Sequence, residues 1–191
     1  MAKYKKHGFT LVELIVVIAI IGVLAAILIP SMMGYIKKSK RSSDVTSAKT
    51  IYDTVMAVLA DNEDVRDSFT ANNASREVTI KDVNASTDDK SKNYTLYVVC
   101  TKDGSGSAGG DRSLWNGGSA EAQSFQDALN GTFGKGKIPI KYTESASGKS
   151  LNRWFVCYRD GDAIDAEVWV GDGKSNTPVY RLWPYTDPSY S

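Results

Sequence analysis

The sequence predicts an α+β fold: a long N-terminal α-helix packed on an antiparallel β-sheet domain. Two observations carry that reading. Residues 9–29 form an apolar run with one charge, Glu13, and an amphipathic helical pattern continues beyond residue 40. The C-terminal half then changes to the two-residue alternation of strands. Helix first and strands after is an α+β order. The 191 residues are 42% hydrophobic and 24% charged, enough for one packed domain plus an anchor. A mean hydropathy of −0.27 averages over the steep asymmetry between the two.

Residues 1–8 (Met-Ala-Lys-Tyr-Lys-Lys-His-Gly) are short, basic and end in glycine. From Phe9 to Ile29 there are 21 residues. As a helix they span roughly 31 Å at 1.5 Å per residue, against a hydrocarbon core of roughly 30 Å. A secretory signal would carry an apolar region of only about 7–15 residues before a small-x-small site. This run continues past Ala25-Ala26 as Ile27-Leu28-Ile29-Pro30 with no clean site. Basic residues flank both ends, Lys3, Lys5 and Lys6 before and Lys37, Lys38, Lys40 and Arg41 after, so charge does not set the orientation. The second group is placed to meet lipid head groups or acidic patches on neighbours, or is simply solvated.

Glu13 is the exceptional residue. A carboxylate costs about 2.5–3.5 kcal/mol at a bilayer centre and less near an interface. No basic residue lies within a helical turn of it in the apolar run. Its partner is therefore expected from another chain or from a chain terminus. Further along, Pro30 removes a helical hydrogen bond, and Gly22 and Gly34 weaken the helix around it. Gly22 and Pro30 are where a kink or local melting is expected.

The amphipathic half, residues 31–60, carries Val45, Ala48, Tyr52, Val55 and Leu59 as one stripe, widened by Ile51, Met56 and Val58. It is expected to pack on a globular head of residues 61–191 and to end near Ala60, before Asp61-Asn62-Glu63-Asp64. Residues 61–93 read as polar and irregular with one strand at Val78–Val83, and Tyr94–Thr101 as a strong strand. Residues 103–118 are rich in Gly and Ser, lack a phosphate-binding signature, and read as a surface loop. Ala120–Asn130 reads as a helix, with Phe125 and Leu129 inward and Gly131 as its stop.

In the last third, Trp154, Val156 and Tyr158 alternate with Phe155 and Cys157. Ile164, Ala166, Val168 and Val170 alternate with Asp165, Glu167 and Trp169. These imply an antiparallel hairpin turning at Asp160-Gly161-Asp162. Val179–Trp183 adds an edge strand, ended by Pro184. Cys100 and Cys157 fall in two of these strands, as a disulfide or as two buried thiols. The oxygens spaced from Asp160 to Glu167 invite a calcium test. The EF-hand template fails at Ile164, and a plain hairpin turn explains the segment as well. The formal charge of +1 gives no argument for a nucleic-acid partner.

Lys-Lys-His-Gly-Phe-Thr-Leu-Val-Glu and the apolar run after it resemble the prepilin signature of the type IV pilins and type II secretion pseudopilins, over residues 1 to about 40. The resemblance implies the type IV pilin fold. It implies a leader, residues 1–8, that a membrane prepilin peptidase removes between Gly8 and Phe9. It also implies N-methylation of Phe9, and a Glu13 that neutralises the new amine of its own or a neighbouring subunit. Partners would be identical subunits in a helical filament, the prepilin peptidase and the inner-membrane assembly machinery. The chain would sit in the cytoplasmic membrane as prepilin and then in an extracellular cell-surface pilus, serving adhesion, surface motility, biofilm or DNA uptake. The resemblance implies no cofactor, although major pseudopilins bind calcium near their C-terminus.

Many Gram-negative pilins staple a C-terminal loop with a disulfide. Residues 158–191 here contain no cysteine, so that staple is absent. Losing the leader removes three of the 23 basic residues, none of the 22 acidic ones and the one histidine, His7. The mature chain is then slightly acidic and histidine-free, which argues against general acid–base catalysis and for a structural role. The alternatives are a pseudopilin or minor pilin, and, from another class, a membrane-anchored binding or enzyme domain. The mature length of 183 residues and the presence of Glu13 favour a main-body pilin. The anchored enzyme would need a catalytic constellation, and the sequence has no Ser/His/Asp set, metal-ligand cluster or nucleotide loop.

Overall fold

The computed structural model describes residues 9–71, 77–81, 93–104, 114–117, 119–145, 148–159 and 166–190. Its first element is the helix α1, Leu11–Asp61, 51 residues without a break. The chain divides into two compact units between Ser39 and Lys40. Beyond residue 30, Met32, Met33, Tyr35 and Ile36 are still exposed apolar side chains.

In the first unit α1 continues as helix through Gly22, Pro30 and Gly34. Ser31 Oγ donates to Leu28 O at 2.9 Å, one residue past the proline. No Cβ added at Gly22 or Gly34 would meet a neighbour, so neither glycine is there to admit a close contact within the chain.

In the second unit α1 buries Asp44, Ala48, Ile51, Val55 and Leu59, spaced by four, three, four and four. Val45, Tyr52, Met56 and Val58 flank that stripe half-buried. The stripe is the expected one, turned so that Ile51 rather than Tyr52 lies at its centre.

Asp61–Asp64 ends α1 as expected, but it also opens a second helix. Asn62 caps α2, Glu63–Thr70, accepting from Val65 N at 3.2 Å, and Glu63 and Asp64 fill its first turn. Val65 and Phe69, one turn apart, reach the core. This segment was expected to be irregular. Two apolar residues give too short a period to read, while the cap and acidic first turn were legible.

The sheet is antiparallel throughout, in the order β1-β2-β4-β5-β6 with β3 beside β2. Its strands are β1 Glu77–Lys81, β2 Asn93–Asp103, β3 Asn116–Gly117, β4 Arg153–Arg159, β5 Glu167–Asp172 and β6 Thr177–Trp183. The expected β4–β5 hairpin is present, pairing Cys157 with Glu167; residues 160–165 at its turn lie outside the described residues. The expected edge strand is β6, and Trp183–Pro184 follows it as a cis peptide. Gly171 in β5 admits no side chain: a Cβ there would lie 2.1 Å from Thr177 O.

Trp154, Val156, Tyr158, Val168 and Val170 join α1, α2 and the third helix in one core. Phe155, Cys157 and Trp169 join Leu96 and Val98 in a second cluster. The strand alternation thus sorts the residues between two faces as expected, with every helix on the first.

Two expectations about the middle of the chain fail. Residues 103–118 are not all surface loop: Trp115 is fully buried, and β3 joins the sheet. The segment is held by α3, Gln123–Phe133, through Asn130 and Gln126. Trp115 N donates to Asn130 Oδ1 and Gly117 N to Gln126 Oε1, both at 2.7 Å. Asn130 Nδ2 returns a bond to Trp115 O at 3.1 Å. Phe125 and Leu129 face inward as expected, but Gly131 does not stop the helix. Gly134 does, at φ 63°, donating its N–H to Asn130 O. Lys102 Nζ, on a fully buried side chain, donates to Gly134 O at 3.3 Å, so a cation meets this helix C-terminus.

Cys100 and Cys157 are both buried, and no disulfide joins them. A register shift between Val98 and Cys100 puts Val99 and Cys100 successively on the helix side, whereas Cys157 belongs to the opposite cluster. Burial pushes the Cys157 thiol well above its ordinary range, with the Glu167 charge adding to the effect. Reductant should therefore leave the thermal midpoint unchanged. Alkylation of the denatured, unreduced protein should label both cysteines; a mass two hydrogens short with no label would show a bond.

Candidate assembly site

The site lies at the start of α1. Leu11 is the first helical residue and Thr10 the residue before it, with Leu14 N donating to Thr10 O at 3.2 Å as the first turn closes. Glu13 is then the third helical position. Thr10 N and Thr10 Oγ1 both donate to Glu13 Oε2 at 2.8 Å, and Glu13 N donates to Thr10 Oγ1 at 3.3 Å. This reciprocal pair is a capping box, which satisfies two of the backbone donors that every helix N-terminus leaves open.

Glu13 thus has neutral donors within its own chain, apart from the charged partner expected from another chain or a chain terminus. Half of its acceptor capacity is spent on its own chain, and the Thr-x-x-Glu spacing was the signal that could have been read. Oε1 accepts no hydrogen bond among the described residues. A carboxylate in this position has a local reason to exist and one oxygen left over.

Around it everything is apolar and open. Phe9 is 77% exposed, and the large side chains from Leu11 to Ile36 are likewise uncovered. Among the described residues this is the one helix long and apolar enough to cross a membrane, with a mean hydropathy of 3.2 over its most apolar window. Gly8 lies outside the described residues.

Of the basic residues expected at the membrane exit, Arg41 is engaged inside the second unit. It donates to Tyr142 Oη at 2.9 Å. Of the suggested calcium ligands, residues 160–165 lie outside the described residues. Glu167 is already held by Arg159, Arg181 and Trp169. Among the described residues no three His, Cys, Asp or Glu side chains are grouped to hold a metal.

Comparison with known proteins bears on this site. The model for the prokaryotic N-terminal methylation motif matches residues 3–29. The chain is 48% identical over 48 residues to the type IV major pilin protein PilA of Myxococcus xanthus, covering 25% of this chain and 22% of that one. It is 39% identical over 67 residues to the type IV major fimbrial protein FimA of Dichelobacter nodosus, covering 35% and 43%. It is 43% identical over 53 residues to the type II secretion system core protein G of Pectobacterium carotovorum, covering 26% and 34%. The chain thus spans less than half the length of these relatives. No solved structure matches it.

Replacing Thr10 with Val keeps the β-branched shape and removes the hydroxyl. It should destabilise the first turn of α1 by about 0.5–2 kcal/mol, the usual worth of such a cap. Amide exchange at Glu13 in detergent micelles should quicken in Thr10→Val and stay near the wild-type rate in Thr10→Ser.

Proposed function

We propose that this chain, whose N-terminal segment is that of a type IV pilin, is a main-body subunit of a type IV pilus. The observation that carries the reading is an apolar helix covered by none of the described residues and capped at its start by one carboxylate. Surface of that kind needs lipid or other copies of itself. The role is structural rather than enzymatic.

In this reading prepilin peptidase cuts between Gly8 and Phe9 and N-methylates Phe9, which turns an internal amide into a chain-terminal amine. Glu13 Oε2 stays with Thr10, and Oε1 receives that cation, from its own or a neighbouring subunit. A cation and a carboxylate each cost several kcal/mol when desolvated alone, and they offset each other when paired. The pairing therefore favours one axial register over a slide along the apolar helix. Before assembly the helix lies in the cytoplasmic membrane; afterwards it lies in the core of an extracellular filament. The likeness to a type II secretion core protein supports a second reading, a pseudopilin, which differs in the apparatus the filament serves.

Filaments sheared from cells should contain this subunit with N-methylated Phe9 as its first residue, read by mass spectrometry. A full-length chain left in the membrane would instead point to an anchored domain. Glu13→Gln separates the two duties of the carboxylate, since glutamine also suits a capping box but carries no charge. Filament yield should fall in Glu13→Gln about as far as in Glu13→Ala. Normal filaments from both would sink the role given to the charge.

A further inference from the structure

We infer that Asp44 is a clamp that ties the C-terminal tail and the loop before β4 to α1. Asp44 is 0% exposed and sits on the core stripe of α1, where the spacing calls for an apolar residue. A buried carboxylate there costs several kcal/mol unless its oxygens are filled.

They are filled from two distant segments. Lys141 N donates to Oδ1 and Tyr142 N to Oδ2, both at 2.8 Å. The phenol of Tyr190 donates to Oδ2, also at 2.8 Å. With backbone N–H groups on both oxygens, the ionised form fits the donor set. Burial alone pushes the Asp44 carboxyl up against those bonds. Burial, followed by the Asp44 charge, pushes the Tyr190 phenol well above its usual range, so it remains a donor.

The neighbours reinforce the node. The Arg41 guanidinium, one turn earlier on α1, lies 4.4 Å from the Tyr142 ring centroid. Tyr190 meets Tyr142 edge-on at 5.6 Å and Tyr180 of β6 at 5.4 Å. The tail between β6 and Tyr190 is tied back locally, Asp187 N to Arg181 O at 2.8 Å and Tyr190 N to Asp187 O at 2.9 Å. Those short bonds shape the tail; its reach to α1 is made by Tyr190, which is 1% exposed.

Position gives the clamp its use. The second unit begins at Lys40, and Asp44 lies one turn into it. A pull along α1 enters that unit there, where Arg41 and Asp44 hold the 141–142 loop and Tyr190, before it reaches the rest of the stripe. This mechanical use rests on the filament reading; the clamp itself does not.

The test uses the full chain in detergent micelles and hydrogen-exchange mass spectrometry of the loop and tail. Tyr190→Phe keeps the ring and removes one donor. It should speed exchange in both the 140–142 loop and the tail by roughly tenfold, about the worth of one such bond, with β4 and β5 unchanged. Asp44→Asn turns one acceptor into a donor facing a backbone N–H and should do more. Wild-type exchange in loop and tail of a folded Tyr190→Phe protein overturns the clamp, whether or not Asp44→Asn folds. Since no filament is needed, a failure of the pilus reading leaves this result intact, and the reverse also holds.

Discussion

The molecule is governed by an imbalance along a single helix. The second half of α1 buries one stripe against the sheet domain, while its first half buries nothing. From Leu11 to Ile36 the large apolar side chains face outward with no partner in the chain. Burial of each such side chain is worth about 1.5–3 kcal/mol, so this surface cannot stay in water. Its cover has to come from outside the chain, in the proposed reading from lipid or from other copies of the helix. The polar features near the N-terminus are then constrained by a surrounding that supplies no hydrogen bonds. The capping box of Thr10 and Glu13 answers that constraint from within the chain, closing the open amides of the first turn.

The sheet domain answers the opposite requirement, to hold one long helix firmly from one side. All three helices contribute to the core on the same face of the sheet, with Trp115 brought in beneath α3. Three buried charges, on the two faces of the sheet, have clear counterparts. Lys102 meets the carbonyl that ends α3, Glu167 meets two arginines and an indole, and Asp44 meets three donors. Lys102 and Asp44 gather segments far apart in sequence, so these contacts specify which loops meet as well as offsetting their own desolvation, whereas Glu167 ties neighbouring strands.

Much of this architecture could be read locally. The apolar run, the stripe at three- and four-residue steps, and the alternation in β4 to β6 are periodic signals that survive without tertiary context. The failures have a common cause. Trp115 stood in a glycine-rich stretch, and only Asn130 and Gln126 of a later helix make that stretch part of the fold. Gly131 follows the last periodic residue and so reads as a stop, whereas Gly134 carries the positive φ that ends the helix. Helix α2 had too few apolar residues for a period, although its cap was in view. The apolar run offers Glu13 no charge, but its neighbour Thr10 supplies neutral donors.

By itself, then, the sequence determined the long helix, its division into an apolar and an amphipathic half, the antiparallel sheet that follows, and the prepilin-like signature at Gly8, Phe9 and Glu13. All of these are properties of neighbouring residues. Tertiary structure alone decided that Cys100 and Cys157 point to opposite faces, since one bulge in β2 reverses the alternation before Cys100. It alone decided that a carboxylate may occupy the core stripe at Asp44. Its three donors lie 97, 98 and 146 residues away, and no local pattern carries information about a partner at that distance.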